Sequence, residues 1–138
     1  MNHTVITVNA LVSTPVEKVW EYFTSVQHIT KWNAASDDWH TTSAENELTI
    51  GGKFSYRMEA KDGSFGFDFW GIYDNIVPHK IIEYTLGDNR KVIVGFKSVN
   101  NTTEIVERFD AETQNSVELQ QIGWQAILNN FKAYVEAN

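Results

Sequence analysis

The chain has 138 residues, a net charge of -7, and 42% hydrophobic residues that include eight Phe, five Trp and five Tyr. That length suits one domain around one core, and the ring content can fill a core or line an apolar cavity. The acidic balance argues against nucleic acid, whose phosphates demand a basic surface, and the absence of cysteine excludes disulfides, thiolate nucleophiles and thiolate metal sites.

His3 to Val12 alternates as a strand, with Val5, Thr7 and Asn9 set against Ile6, Val8 and Ala10. Thr14-Pro15-Val16-Glu17 then combines an N-cap, a proline at the first helical position and a Glu at the capping-box position. Val16, Val19, Trp20 and Phe23 follow at helical spacing and predict a short helix to about Thr24. Ser25 opens a second short helix through Trp32, with Ile29 and Trp32 on one side. Asn33 to Asn46 lacks a period and reads as a loop or irregular strand. Trp39 within it is expected to tuck inward, because exposing the ring forfeits roughly 2–3 kcal/mol.

After Gly51-Gly52, Phe54, Tyr56 and Met58 alternate with Lys53, Ser55, Arg57 and Glu59, and Asp62-Gly63 is a two-residue hairpin turn. The return strand carries Phe65, Phe67 and Phe69 on one face, continuing to Gly71 and Tyr73. Asp68, Trp70 and Asp74 take the other face until Pro78-His79 breaks the run. Ile82, Tyr84 and Leu86 close at Gly87-Asp88-Asn89, and Val92, Val94 and Phe96 close at Asn100-Asn101. Thr103, Ile105, Glu107 and Phe109 make the last strand face. Four hairpin-like connections in succession imply an antiparallel meander, since tight turns join only antiparallel neighbours. Ser116 to Glu136 is a long amphipathic helix, with Asn115 and Glu118 as its capping box. Its apolar stripe is Val117, Trp124, Leu128, Phe131 and Val135. Nothing marks a repeat or a boundary, so residues 1–138 are expected to form a single domain.

A curved sheet laid on one helix diverges at one end, and rings alone need not close that wedge. The inward faces turn Phe54, Tyr56, Met58, Phe67, Phe69, Tyr73, Tyr84 and Phe96 towards Trp124. Either these side chains interlock, or they line a cavity whose few hydroxyls orient a ligand. Trp32, Trp39 and Leu128 complete the candidate lining, and Gln120 or Gln121 would reach a ligand at the mouth. Gly123 costs roughly 1 kcal/mol relative to Ala inside a helix, so it marks the close approach of a ligand, a loop or a Trp such as Trp32 or Trp39. Strict alternation points Glu107 inward, where an unpaired carboxyl has a raised pKa and suits a general acid or base. Tyr56 and Tyr73 are its nearest expected polar partners, whereas a bulge would turn it out to water.

Leu119, Ile122 and Ala126 lie on the helix side away from the stripe, where a homodimer contact or a covering loop would account for them. His3, His28 and His79 form no constellation, and Asp37, Asp38 and His40 match no metal motif, so neither metal nor cofactor is expected. There is no phosphate cradle and no nucleophile elbow. No N-terminal apolar segment resembles a signal peptide and no run is long enough to span a membrane, so a cytoplasmic setting without membrane insertion is expected.

Pro15-Val16-Glu17-Lys18-Val19-Trp20, His28-Ile29-Thr30-Lys31-Trp32, Gly51-Gly52-Lys53-Phe54, Gly71-Ile72-Tyr73, and Gly123-Trp124 with Leu128 and Phe131 run nearly end to end. In this order they resemble the START-like, or SRPBCC, superfamily, specifically the branch related to the C-terminal domain of the activator of the heat-shock-protein ATPase. The resemblance implies an α+β helix-grip (START/Bet v 1-like) fold. Its parts are a strongly bent antiparallel sheet of six or seven strands around the terminal helix, and two short helices after the first strand. It also implies a cavity for apolar molecules such as lipids, sterols or polyketides, with some members acting as enzymes. The first functional expectation is therefore a binding module holding a small apolar ligand between sheet and helix. The second is a polyketide-cyclase-type enzyme in which Glu107 and a cavity Tyr move protons. The third is a co-chaperone-like interaction domain with a chaperone partner. The activator carries in addition an N-terminal domain with an Asn- and Trp-rich segment, for which these residues hold no counterpart.

Overall fold

Alternation builds the first element directly. Val5–Val12, β1, buries Ile6, Val8, Ala10 and Val12 on one face and leaves Val5, Thr7, Asn9 and Leu11 on the other. The computed structural model describes residues 4–138, so His3 lies outside the described residues. Two helices follow, α1 (Val16–Thr24) and α2 (Val26–Trp32), and then β2 (Trp39–Asn46), β3 (Lys53–Ala60), β4 (Gly66–Val77), β5 (Ile81–Leu86), β6 (Lys91–Val99) and β7 (Thr102–Asp110). The helix α3 (Val117–Ala137) ends the chain. All seven strands form one antiparallel sheet in the order β1-β7-β6-β5-β4-β3-β2, a meander from β2 to β7 with β1 returned to the far side of β7. This is the α+β helix-grip architecture, a bent sheet around one long helix.

The turns follow from their residues. Gly63 sits at φ 78° after Asp62, whose carboxylate accepts from the Ser64 N–H at 2.8 Å. Asn100 and Asn101 both adopt positive φ, as a two-residue hairpin loop requires. Bulges between Thr41 and Ser43 and between Tyr73 and Asn75 interrupt the ladders and bend the strands that carry them. Pairing with β3 makes a strand of Trp39–Asn46, a segment whose own pattern is too weak to specify one.

Two helix starts sit one residue from the expected position. Pro15, not Thr14, is the N-cap of α1; Thr14 is buried, and its carbonyl accepts from the Thr103 hydroxyl at 2.8 Å. Ser116, not Asn115, caps α3 by accepting from the Leu119 N–H at 3.1 Å, because Asn115 is held by the Glu112 carboxylate through its own N–H at 2.6 Å.

The helix α3 is fastened along one side. Gln125 donates to the Asn9 carbonyl and accepts from the Asn9 N–H, at 2.8 and 3.3 Å, which completes the free edge of β1 as another strand would. Gln121 donates to Thr7 O, Lys132 to Leu11 O, and Glu136 accepts from the Ser13 N–H. Leu128, Phe131 and Val135 are buried under this seam. On its other side α3 is tied, among the described residues, towards its C-terminal end, where Asn130 donates to Ala34 O at 2.6 Å and Tyr134 meets His28 Nδ1 at 2.8 Å. Leu119 and Ile122 stay 56% and 65% exposed, so no described loop folds over them, while Ala126 is half-buried. No helix among the described residues is long and apolar enough to cross a membrane.

Candidate functional site

Because α3 is tied to β1 and to α2 but bonded to none of β3, β4 or β5 among the described residues, the sheet and the N-terminal half of the helix diverge there. A cavity of about 190 Å³ occupies the wedge. Strand alternation delivers Phe54, Tyr56 and Met58 from β3, Phe67, Phe69 and Tyr73 from β4, Ile82 and Tyr84 from β5, and Glu107 from β7. Trp124 and Ile127 of α3 form the opposite wall, and Phe23, Thr24, Trp32 and Asn33 close the end.

The rings hold one another in place. Phe54 lies 4.8 to 5.3 Å, centroid to centroid, from Tyr84, Tyr56 and Tyr73. Its paired residue on β4 is Gly71, where a Cβ would come within 2.8 Å of the Phe54 ring and of the Thr85 carbonyl. A side chain there would push Phe54 from its seat. Trp124 stacks on Phe109 at 3.8 Å and meets the edge of Phe69 at 6.1 Å, so the helix wall is positioned by β7 and β4 together.

Glu107 sits in register between Val8 of β1 and Val94 of β6, with no bulge to turn it outward. It is 8% exposed, and its carboxyl has no hydrogen bond or ion pair among the described residues. Burial pushes it up to about 8, so it is mostly protonated and neutral at pH 7. Tyr84, rather than Tyr56 or Tyr73, is the phenol that feels it. Burial raises Tyr84 well above its usual value and the Glu107 charge raises it further. The Tyr73 hydroxyl is instead committed to Asn46 Oδ1 at 2.6 Å, and burial takes it up to about 12. Burial, with Tyr73 and Tyr84 beside it, likewise holds Tyr56 far above the phenol range. All three phenols therefore stay protonated at physiological pH.

Four candidate residues lie elsewhere. Trp39 starts β2 opposite Ala60 and joins Phe65 and Phe67 in a rim cluster, at 6.1 and 6.0 Å, outside the cavity lining. Phe96 is buried against Trp20 and Phe23, because α1 covers that part of β6. Gln120 is buried under its own loop, donating to the carbonyls of Glu112 and Asn115 and accepting from the Glu112 N–H. Leu128 packs into the closed core. Gln121 bonds Thr7, and a Cβ on Gly123 would meet nothing within 4 Å, so no Trp or loop presses on it. Phe23, Thr24, Asn33, Ile82 and Ile127 line the cavity in addition to the residues expected there. Two of them had a legible signal: Ile82 is two residues from Tyr84 along a strand, and Ile127 is three from Trp124 along a helix. Among the described residues no group of three or more His, Asp or Glu is placed to hold a metal.

The family model described as activator of Hsp90 ATPase homolog 1-like protein matches residues 13–136. A solution structure of an AHSA1-like protein from Aeromonas hydrophila is 43% identical, covers 97% of this chain and 93% of its own, and superposes with a TM-score of 0.91. A protein from Cytophaga hutchinsonii is 53% identical over 96% of this chain and 92% of its own, with a TM-score of 0.83. A crystal structure from Chromobacterium violaceum shares the fold at 20% identity, covering 97% of this chain and 98% of its own, with a TM-score of 0.86. No curated protein matches the chain. Family match, sequence identity and helix-grip architecture agree, and the chain belongs to the activator of Hsp90 ATPase homolog 1-like family, in the START-like (SRPBCC) superfamily.

Proposed function

We propose that this protein is a binding module enclosing one small, largely apolar molecule between the sheet and α3. What supports this function first is the ring-lined space of about 190 Å³ that the protein's own side chains leave between them. Membership of a superfamily of small-molecule binders agrees with it. The size narrows the guest. An apolar cavity of roughly 150 Å³ accepts benzene, whereas pockets for drug-sized ligands run from about 300 to 1,000 Å³. A one- or two-ring compound fits, and a sterol or long lipid does not without widening the wedge. Native mass spectrometry of gently purified protein should show a bound small molecule. Thermal-shift screening with one- and two-ring compounds should raise the melting temperature, since a ligand at a hundred times its Kd adds about 2.7 kcal/mol. A protein that carries nothing and responds to none of them would end this assignment.

Glu107 favours a second function on the same cavity. A buried carboxyl that titrates near neutrality, next to the Tyr84 phenol, is suited to give or take a proton from an enclosed substrate, as in a polyketide-cyclase-type reaction. Turnover lost in Glu107→Gln while ligand binding persists would establish it. The family's printed description names a chaperone ATPase. A chaperone partner would use the outer surface, and its capture would then be indifferent to a blocked cavity.

A further inference from the structure

Resting on the binding-module function, we infer the class of ligand: a small aromatic or alicyclic base whose protonated amine pairs with Glu107 while the surrounding rings hold its body. The lining contains no Lys, Arg or His, and Glu107 is its sole carboxyl. From β5 it is faced by the Tyr84 phenol and from β1 and β6 by Val8 and Val94, while Tyr56 of β3 and Tyr73 of β4 share the lining. From α3 come only Trp124 and Ile127, and from the α1–α2 end Phe23, Thr24, Trp32 and Asn33. Of the polar groups among these, the Tyr73 hydroxyl is bound to Asn46, and the Asn33 amide donates to Thr41 at 3.1 Å. Glu107, the lining's one carboxyl, has no hydrogen bond or ion pair among the described residues, and it is more than nine-tenths buried and on the cavity wall.

Three kinds of guest can be ranked against that wall. An anion finds no counter-charge in the lining; the neutral Glu107 carboxyl and the Tyr84 hydroxyl can each donate to it but carry no charge to offset its desolvation, so it ranks last. A neutral guest with a hydroxyl can bond the carboxyl, but without charge assistance. An ammonium ion gives Glu107 a charge-assisted hydrogen bond and brings a cation among the aromatic rings of the lining. Desolvation of the amine and the carboxyl opposes this gain, which leaves an order of preference: ammonium over neutral isostere over anion. Protons balance simply. The amine enters charged, Glu107 gives up its proton, and that proton leaves to solvent, so one is released per ligand bound below about pH 8.

The test uses the intact protein with three isosteres: 2-phenylethylamine, 2-phenylethanol and phenylacetate. Titration calorimetry at pH 7 should show the amine binding about tenfold tighter than the alcohol, or better, with phenylacetate not detected. The heat of amine binding should change between phosphate and Tris buffers by the amount expected for about one released proton. Glu107→Gln should keep the alcohol's affinity and lose the amine's advantage. If that variant does not fold, the ligand series and the proton count on the wild type decide alone. An alcohol that binds as well as the amine, or an amine preference that survives Glu107→Gln, overturns the ligand class and leaves the binding module standing. Failure of all three probes, together with no ligand by native mass spectrometry, overturns both.

Discussion

The two sides of α3 are built from different materials, and the difference explains where the protein is solid and where it is hollow. Towards β1, aliphatic and mixed-size side chains interlock: Val8, Val12, Ile105, Leu128, Phe131 and Val135 are buried with almost no residual exposure. Side-chain amides and an ammonium of α3 then bond the edge of β1, a carboxylate takes the Ser13 N–H just beyond it, and helix and strand are held in contact. Towards β3 and β4 the partners are large flat rings in tilted and edge-to-face contact, and among the described residues no hydrogen bond draws the helix onto those strands. Rings held in fixed mutual geometry cannot flow into a wedge as branched aliphatics do. A hollow is what remains.

Truncation separates the two sides of α3 most strongly. Phe131→Ala on the closed side should cost about 3–5 kcal/mol in urea unfolding. Ile127→Ala, only half-buried on the cavity wall, should cost less than about 2 kcal/mol, since it enlarges an existing space rather than opening a new one. Equal losses would mean that the two sides are packed alike.

Glu107 gives the next largest effect, through pH. Its carboxyl titrates near 8 in the folded protein and near 4.5 when unfolded, so the folded state holds the proton more tightly. That stabilisation is complete below about pH 4.5 and disappears as pH rises through about 8, a loss of a few kcal/mol at roughly 1.4 kcal/mol per unit. Measured as the difference between wild type and Glu107→Gln, the decline from pH 5 to 8 should be present in the former and missing in the latter.

Filling the hollow probes the same difference from the other direction. Ile127→Trp should remove about 2–3 kcal/mol of ligand-dependent stabilisation, read as a lost thermal shift, while the far-UV circular dichroism spectrum stays unchanged. The smallest change belongs to Gly123. With open space where its Cβ would be, Gly123→Ala should stabilise the fold by about 0.4–1 kcal/mol and leave ligand affinity as it was. A drop in affinity would show that the bare helix backbone serves the cavity.

Much of the molecule was legible in order and period. Alternation in Ile6 to Ala10, in Phe54 to Met58 and in Ile105 to Phe109, the Asp62-Gly63 and Asn100-Asn101 turns, and the stripe from Trp124 to Val135 determine the strands, the meander and the terminal helix, because each is a local consequence of backbone geometry. The same alternation aimed Glu107 and most of the rings at one space. Tertiary structure alone decided that Trp39–Asn46 is a strand, that Gln120 serves its own loop, and that Phe96 goes to α1 and Trp39 to the rim. It also decided that the wedge stays open. Which inward residues meet, and which leave a gap, depends on how far apart two distant elements come to rest, and no local period carries that distance.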